Sequence, residues 1–213
     1  DGRRGGDIYY FSVCSYDILI LTRVCLADLR GHGEQVGALS EWIYAQMLEK
    51  MNTRDGALVL AGLNEVLHER GFEALTTAVV LSYNRQDRQL QYACAGHPPA
   101  LWKQTGQSWK RLGVGPAEGA ANLPLGVMRK VPYTETTWQG KAGDRVFLYT
   151  DGVLECPDAD GVEFEAERLE ATLERAEACD VHRLRRHVVA ELESFRGGAL
   201  DHDDCTLLAL ELH

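Results

Sequence analysis

Hydrophobic and polar positions change their spacing several times along the chain, and the order of these changes predicts the fold class. Two β-rich runs, residues 8–13 and 18–27, flank a short polar turn at residues 15–17 and predict a hairpin. Residues 33–51 and 56–69 then show the 3.6-residue spacing of amphipathic helices. Further strands are predicted at residues 74–83, 89–95, 100–103, 134–139 and 145–150.

The C-terminal third returns to helical spacing before one last strand. Residues 163–178 and 181–195 predict two helices, and residues 205–212 predict the closing strand. Residues 105–122 are rich in Gly and Ala and predict a loop. Because strands and helices come in blocks rather than in alternation, the chain is expected to be α+β with largely antiparallel sheets. Two stacked sheets with helices on both outer faces would bury these apolar strands.

Acidic residues stand at the edges of four predicted strands, at Asp7, Asp28, Asp151 and the pair Asp203 and Asp204. In the predicted hairpin, the start of the first strand lies beside the end of the second, so Asp7 and Asp28 are expected at one end. Asp28 by itself could equally be the N-cap of the helix that follows. Clustered carboxylates repel each other unless a cation neutralises them, and oxygen-only sites suit Mg²⁺ or Mn²⁺. Together, the four positions predict a binuclear metal centre.

Composition and charge narrow the classes of protein. The 213 residues are 45% hydrophobic and carry a formal net charge of −10, which suits one domain and disfavours nucleic-acid binding. The six cysteines form no C-x-x-C pair and are interpreted as buried thiols of a cytoplasmic protein rather than disulfides or zinc ligands. No apolar run reaches the ~18 residues of a membrane span. The start at Asp1 suggests a domain excised from a longer chain.

Six motifs then carry a resemblance to a known family. They are GGDIY at residues 5–9, ADLRGHG at 27–33, AGHPP at 95–99, LPLG at 123–126, TDGVLE at 150–155 and DDCTLL at 203–208. Together and in this order, they resemble the PPM family of metal-dependent protein phosphatases, in its SpoIIE-type branch, which is similar to protein phosphatase 2C. The resemblance implies one phosphatase domain over residues 1–213, folded as an α-β-β-α sandwich of two mainly antiparallel sheets flanked by helices.

The resemblance also implies a set of metal ligands. Asp28 would bridge two Mn²⁺ or Mg²⁺ ions. Asp151 and Asp203 would complete the shell of the first ion. Asp7 and the backbone carbonyl of Leu29 would serve the second. Asp28, Asp151 and Asp203 are thereby the expected catalytic residues.

Four further residues in or beside these motifs are candidates for the site or for the turns around it. Asp204 follows Asp203 directly and is an alternative ligand. Arg30 departs from the family pattern and could hold a phosphate by a bidentate contact, although an exposed Arg at a turn is the simpler interpretation. His97 precedes two prolines and is interpreted as a turn-fixing residue, and His32 as a packing or capping residue.

The implied reaction is hydrolysis of phosphoserine or phosphothreonine in a protein by metal-activated water, without a protein nucleophile. The implied substrate is a phosphorylated regulator of the anti-sigma antagonist kind, with no nucleic acid and no membrane contact. An upstream domain or a homodimer contact would move the helices that follow Asp28. The alternatives are a catalytically weak phosphatase-fold domain that binds a partner protein, a nucleotide phosphohydrolase and a purely structural domain. The lack of a Gly-rich Lys-Ser/Thr phosphate loop argues against the nucleotide enzyme.

Overall fold

Nine strands and five helices are present in the computed structural model, which describes residues 5–16, 19–30, 34–71, 74–113, 123–176 and 179–213. The strands are β1 (Asp7–Tyr16), β2 (Leu19–Leu29), β3 (Thr76–Asn84), β4 (Gln89–Ala95), β5 (Leu101–Lys103), β6 (Trp109–Arg111), β7 (Glu135–Gln139), β8 (Arg145–Tyr149) and β9 (Leu207–Glu211). The helices are α1 (Glu34–Lys50), α2 (Gly56–Arg70), α3 (Asp151–Leu154), α4 (Glu165–Arg175) and α5 (Val181–Arg196).

The strands form two antiparallel sheets, so the predicted α+β class is confirmed. Two compact units divide the chain, the first formed by residues 1–97 and 113–140, the second by residues 98–112 and 141–213.

The first unit packs α1 and α2 against a five-stranded sheet of order β1-β2-β3-β4-β7. Cys25, Ala27 and Leu29 of β2 share one buried cluster with Ile43 and Met47 of α1. Because successive side chains of a strand point to opposite faces, the residues between them lie on the face away from these helices. The even-numbered positions of β2, including position 28, therefore belong to the other face of the sheet.

The second unit is built around a four-stranded sheet of order β6-β5-β8-β9. Phe147 and Tyr149 of β8 pack with Leu169 of α4 and Val188 of α5 in a separate buried cluster. Both helices carry strongly polar residues on their remaining faces, as expected for amphipathic helices that cover one side of a sheet. Only Thr150 separates β8 from α3, so Asp151, the first residue of α3, follows this buried strand closely.

A buried arginine connects the first sheet to the segment between its two helices. Arg23 of β2 is only 2% exposed, and its Nε donates to Ser82 Oγ at 2.9 Å. Its Nη atoms donate to the carbonyl oxygens of Met51, Thr53 and Arg54. These carbonyls follow the last turn of α1, where main-chain acceptors have no partner within the helix. Arg23 therefore holds the α1–α2 connection against β2.

Several local predictions were wrong at particular residues. Ser15 and Tyr16, predicted as a turn, are paired with Ile20 and Leu19 as part of β1. The loop predicted at residues 105–122 contains β6, which pairs with β5. The short helix α3 was not predicted, because four residues are too few to show helical spacing.

The predicted end of α2 is confirmed, and the prediction of buried cysteine thiols is confirmed in part. Gly71 closes α2 with a φ of 99° and donates its N–H to Leu67 and His68. Five cysteines in the described part of the chain are free thiols, but Cys179 and Cys205 are only half-buried rather than buried. Among the described residues, no helix is both long and apolar enough to cross a membrane.

Candidate metal centre

Asp7 and Asp28 lie directly opposite each other on neighbouring antiparallel strands. Asp7 is the first residue of β1, and its Cα partner in β2 is Asp28. Directly opposed residues project to the same face with Cβ atoms roughly 4.5–5.5 Å apart. Like charges in that position are destabilising unless a cation lies between them. The register therefore confirms the predicted hairpin geometry and creates a small anionic site at the end of these two strands.

The local structure also decides between the two interpretations of Asp28. Asp28 lies within β2, and α1 begins only at Glu34. Asp28 is therefore not the N-cap of that helix, and the capping alternative was wrong. The residues after it are anchored on both sides, since Leu29 N donates to Gly6 O at 3.2 Å and Arg30 N donates to Leu75 O at 3.3 Å.

Leu29 and Arg30 present different groups to their surroundings. The Leu29 side chain is 1% exposed and belongs to the core that includes α1, so only its backbone can serve as a ligand. The Arg30 side chain is exposed next to this strand end. His32, interpreted from sequence as a packing or capping residue, lies outside the described residues.

In the second unit, a close approach of two segments brings Asp151 near the Asp203–Asp204 loop. The carbonyl of Gly152 accepts hydrogen bonds from Cys205 Sγ at 3.1 Å and pairs with His202 Nε2 at 2.8 Å. Thr150 N donates to Thr206 O at 3.0 Å, and Thr206 N donates to Thr150 Oγ1 at 3.0 Å. The loop is therefore held on both sides of Asp203 and Asp204.

The pKa of Glu155 depends on the acidic residues around it. Burial raises the pKa of Glu155, and the negative charges of Asp151, Glu163 and Asp203 raise this pKa further. Asp151 and Asp203 therefore act on the same short segment of the second unit. Asp204 is half-buried, and its backbone N–H donates to Asp203 Oδ1 at 2.8 Å.

The chemistry of these donors fits a hard divalent cation. In the first unit Asp7 lies opposite Asp28, and in the second unit Asp151 and Asp203 both raise the pKa of Glu155. Within the ranges that the structure describes, no three His, Cys, Asp or Glu side chains form a group that could hold a metal ion. The available ligands are oxygen atoms, which Mg²⁺ and Mn²⁺ prefer, whereas Zn²⁺ prefers nitrogen and sulfur.

One neighbour of Asp28, Thr77, was not found by sequence reasoning. Thr77 of β3 is the Cα partner of Asp28 on the side opposite Asp7. Its Oγ1 lies 2.8 Å from Nδ1 of His97, a residue to which the motif assigned only a role in the turn. The GHPP motif singled out His97, but no local pattern connects it to Thr77.

Comparison with known proteins identifies the family of this chain. Residues 21–213 match the family described as Stage II sporulation protein E (SpoIIE). The phosphoserine phosphatase RsbU of Bacillus subtilis (strain 168) is 26% identical over 208 residues, which cover 96% of this chain and 58% of RsbU. This chain therefore spans little more than half the length of that curated relative.

Two solved structures share the fold. The SiaA-PP2C domain of Pseudomonas aeruginosa superimposes with a TM-score of 0.82 at 21% identity, covering 98% of this chain and 81% of that domain. RsbX in complex with magnesium gives a TM-score of 0.67 at 18% identity, covering 98% of this chain and 88% of RsbX. Since the family match extends over nearly the whole sequence, this chain belongs to the stage II sporulation protein E (SpoIIE) family.

Proposed function

We propose that this chain is a metal-dependent protein phosphatase that hydrolyses phosphoserine or phosphothreonine in a regulatory protein. The observation that carries the proposal is the register of β1 and β2, which puts Asp7 directly opposite Asp28. Two facing carboxylates are costly without a cation. The SpoIIE family is metal-dependent, and the related RsbX was solved with magnesium.

The proposed ligand set follows the family resemblance. Asp28 would be a ligand of both Mn²⁺ or Mg²⁺ ions, and Asp7 and the Leu29 carbonyl would help to hold one of them. Asp151 and Asp203 would help to hold the other. Asp203 is the proposed ligand because of its place in the motif that carries the resemblance, and Asp204 is the alternative.

The ions, when bound, would lower the pKa of a water molecule and stabilise both ends of an in-line displacement at phosphorus. The chain's own residues supply negative charge and orientation. The anchored backbone of Leu29 and Arg30 keeps the strand end in place next to Asp28. The side chain of Arg30, the exposed residue that follows β2, would contact the phosphate of the substrate.

Cysteine chemistry is a poor alternative for the same reaction. Burial raises the pKa of the Cys25 thiol to about 12 and also raises the pKa of Cys156, so both stay protonated near neutral pH. Only a thiolate attacks phosphorus effectively. The thiol of Cys205 donates to the Gly152 carbonyl and so contributes to the loop structure.

The substrate and partners are proposed from the relatives. RsbU is named a phosphoserine phosphatase, and the SpoIIE-type resemblance points to a phosphorylated anti-sigma antagonist-type regulator. The homodimer stays a prediction. A catalytically weak, partner-binding domain is not favoured, because every acid of the expected ligand set is present.

The test is phosphate release from a phosphoserine peptide and from a nucleotide, each with Mn²⁺, with Mg²⁺ and after EDTA treatment. Activity on the peptide should require a divalent metal, vanish with EDTA and return when metal is added back. Asp28→Asn should abolish turnover without unfolding the protein. Peptide hydrolysis that survives complete chelation would contradict the proposal, and preferential hydrolysis of the nucleotide would indicate the alternative enzyme.

A further inference from the structure

Three polar side chains form a row across the end of the first sheet. Asp7 of β1 is opposite Asp28 of β2, and Asp28 is opposite Thr77 of β3. Directly opposed residues of antiparallel strands project to the same face, with Cβ atoms roughly 4.5–5.5 Å apart. Asp28 is therefore flanked by the second acid on one side and by a threonine on the other.

Thr77 is connected to a buried histidine. Thr77 Oγ1 and His97 Nδ1 are 2.8 Å apart, and His97 is only 5% exposed. Either tautomer of the ring keeps this hydrogen bond, since the hydroxyl can both donate and accept. Threonine has two heavy atoms on Cβ and few χ1 rotamers, so one bond to a buried ring is enough to select its orientation.

The loop that carries His97 is itself tightly held. Cys94 Sγ donates to His97 O at 3.3 Å, and Gly96 forms a bridge with Ala78 of β3. Gly96 has a φ of 66°, and a Cβ there would lie 2.7 Å from the backbone N of Pro124. The loop therefore cannot shift toward that segment, and the position of the imidazole relative to β3 is set by the backbone.

From this row we infer that Thr77 and His97 are positioning residues that hold the Asp28 carboxylate in the orientation needed for metal binding. The inference rests on the proposed function, because it assumes that Asp28 is a metal ligand. Groups that orient a ligand without touching the metal typically change metal affinity about 10–100-fold when removed. Mg²⁺ is especially sensitive, since it requires near-octahedral geometry at roughly 2.1 Å.

The experiment measures Mn²⁺ affinity by calorimetric titration of the metal-free protein, together with its melting temperature. Thr77→Val keeps the shape of the side chain but removes the hydroxyl, and Thr77→Ser keeps the hydroxyl. The matched control is Thr22→Val, since Thr22 lies on the same strand and face as Asp28, opposite Tyr83 and away from the acids. Thr77→Val should weaken Mn²⁺ binding about 10–100-fold, while Thr77→Ser and Thr22→Val should bind as the wild type does.

A second pair of variants tests the histidine. His97→Asn can still place a polar atom near the position of Nδ1, whereas His97→Leu cannot. Asn should therefore recover much of the Mn²⁺ affinity that Leu loses. If His97→Leu fails to fold, the Thr77 series and the Asn variant still decide the question.

Asp28→Asn, titrated in parallel, separates the two proposals. Loss of Mn²⁺ binding in Asp28→Asn together with unchanged binding in Thr77→Val would overturn the positioning role and leave the metal site intact. Unchanged binding in Asp28→Asn would overturn the metal site itself, and the positioning role with it. An equal loss in Thr77→Val and Thr22→Val would show a general effect on the sheet and would also overturn the inference.

Discussion

Gly152→Ala is the substitution for which the structure makes the sharpest prediction. Gly152 is the second residue of α3, directly after Asp151, and its φ is not in the left-handed region. Alanine is therefore allowed by the backbone conformation. Space is the difficulty, because an added Cβ would overlap the carbonyl oxygen of Asp204 and lie 3.1 Å from its carbonyl carbon.

The size of the effect follows from two opposing contributions. Without a clash, Ala in place of a helical Gly stabilises a protein by about 0.5–1 kcal/mol. Overpacking against a main-chain atom costs about 1–3 kcal/mol. The atom cannot rotate away, since His202 and Cys205 hold this loop to the Gly152 carbonyl. The loop must instead move by about 1 Å, a displacement that can cost about 100-fold in rate when catalytic geometry changes.

The assay combines thermal unfolding with phosphate release at saturating Mn²⁺. For a domain of this size, each kcal/mol corresponds to roughly 2–4 °C in melting temperature. The matched control is Gly62→Ala in α2, where the nearest atom to a new Cβ is Lys50 Cδ at 3.4 Å, the middle of a flexible side chain. Gly62→Ala should raise the melting temperature slightly and leave activity unchanged, while Gly152→Ala should lower both.

The reasoning would be refuted by one clear result. If Gly152→Ala is as active as the wild type and gains stability as Gly62→Ala does, then the approach between residue 152 and the Asp204 carbonyl is not a constraint in solution. A loss of stability with full activity would show instead that the loop can move without disturbing catalysis, and that the coupling between Gly152 and the acids is wrong.

Three further predictions concern the first unit. Asp28→Asn should raise the melting temperature of the metal-free protein, because one charge of the facing pair with Asp7 is removed; an unchanged or lower melting temperature would argue against repulsion between them. Arg23→Met should lower the free energy of unfolding in urea by about 1–3 kcal/mol, since carbonyl acceptors in the α1–α2 connection lose their charged donor; a loss well below about 1 kcal/mol would indicate that water replaces it. Ile43→Val should raise the Mn²⁺ concentration for half-maximal activity. Ile43 of α1 and Leu29 belong to the same core cluster, so a shift of α1 would also move Leu29, whose carbonyl is the proposed backbone ligand. A fixed Mn²⁺ requirement in a folded Ile43→Val protein would remove α1 as a regulator of the metal site.

Local sequence patterns determined a large part of this protein. The hairpin of β1 and β2 could be predicted because its strands are adjacent in the chain, and so could the position of Asp7 and Asp28 at the same end of it. The exact register, which pairs Asp7 with Asp28, was not predicted, because the turn was expected at residues 15–17 whereas Ser15 and Tyr16 belong to β1. The end of α2 at Gly71 could also be predicted, because a position with positive φ at the end of an amphipathic helix favours glycine.

Only the tertiary structure decided which distant residues support the acids. Hydrophobic spacing indicates that a position is buried, but it does not indicate which residues bury it. β6 lies in a Gly-rich stretch that was predicted as a loop, and only its pairing with β5 shows that it is a strand. The same limit applies to the bond between Thr77 and His97, to Arg23 beneath the α1–α2 connection, and to Gly152 against Asp204. Each of these contacts joins segments that are far apart in sequence and depends on the complete packing of its unit. The sequence therefore identified the acidic residues, and the fold determined which distant residues lie close to their strands and loops.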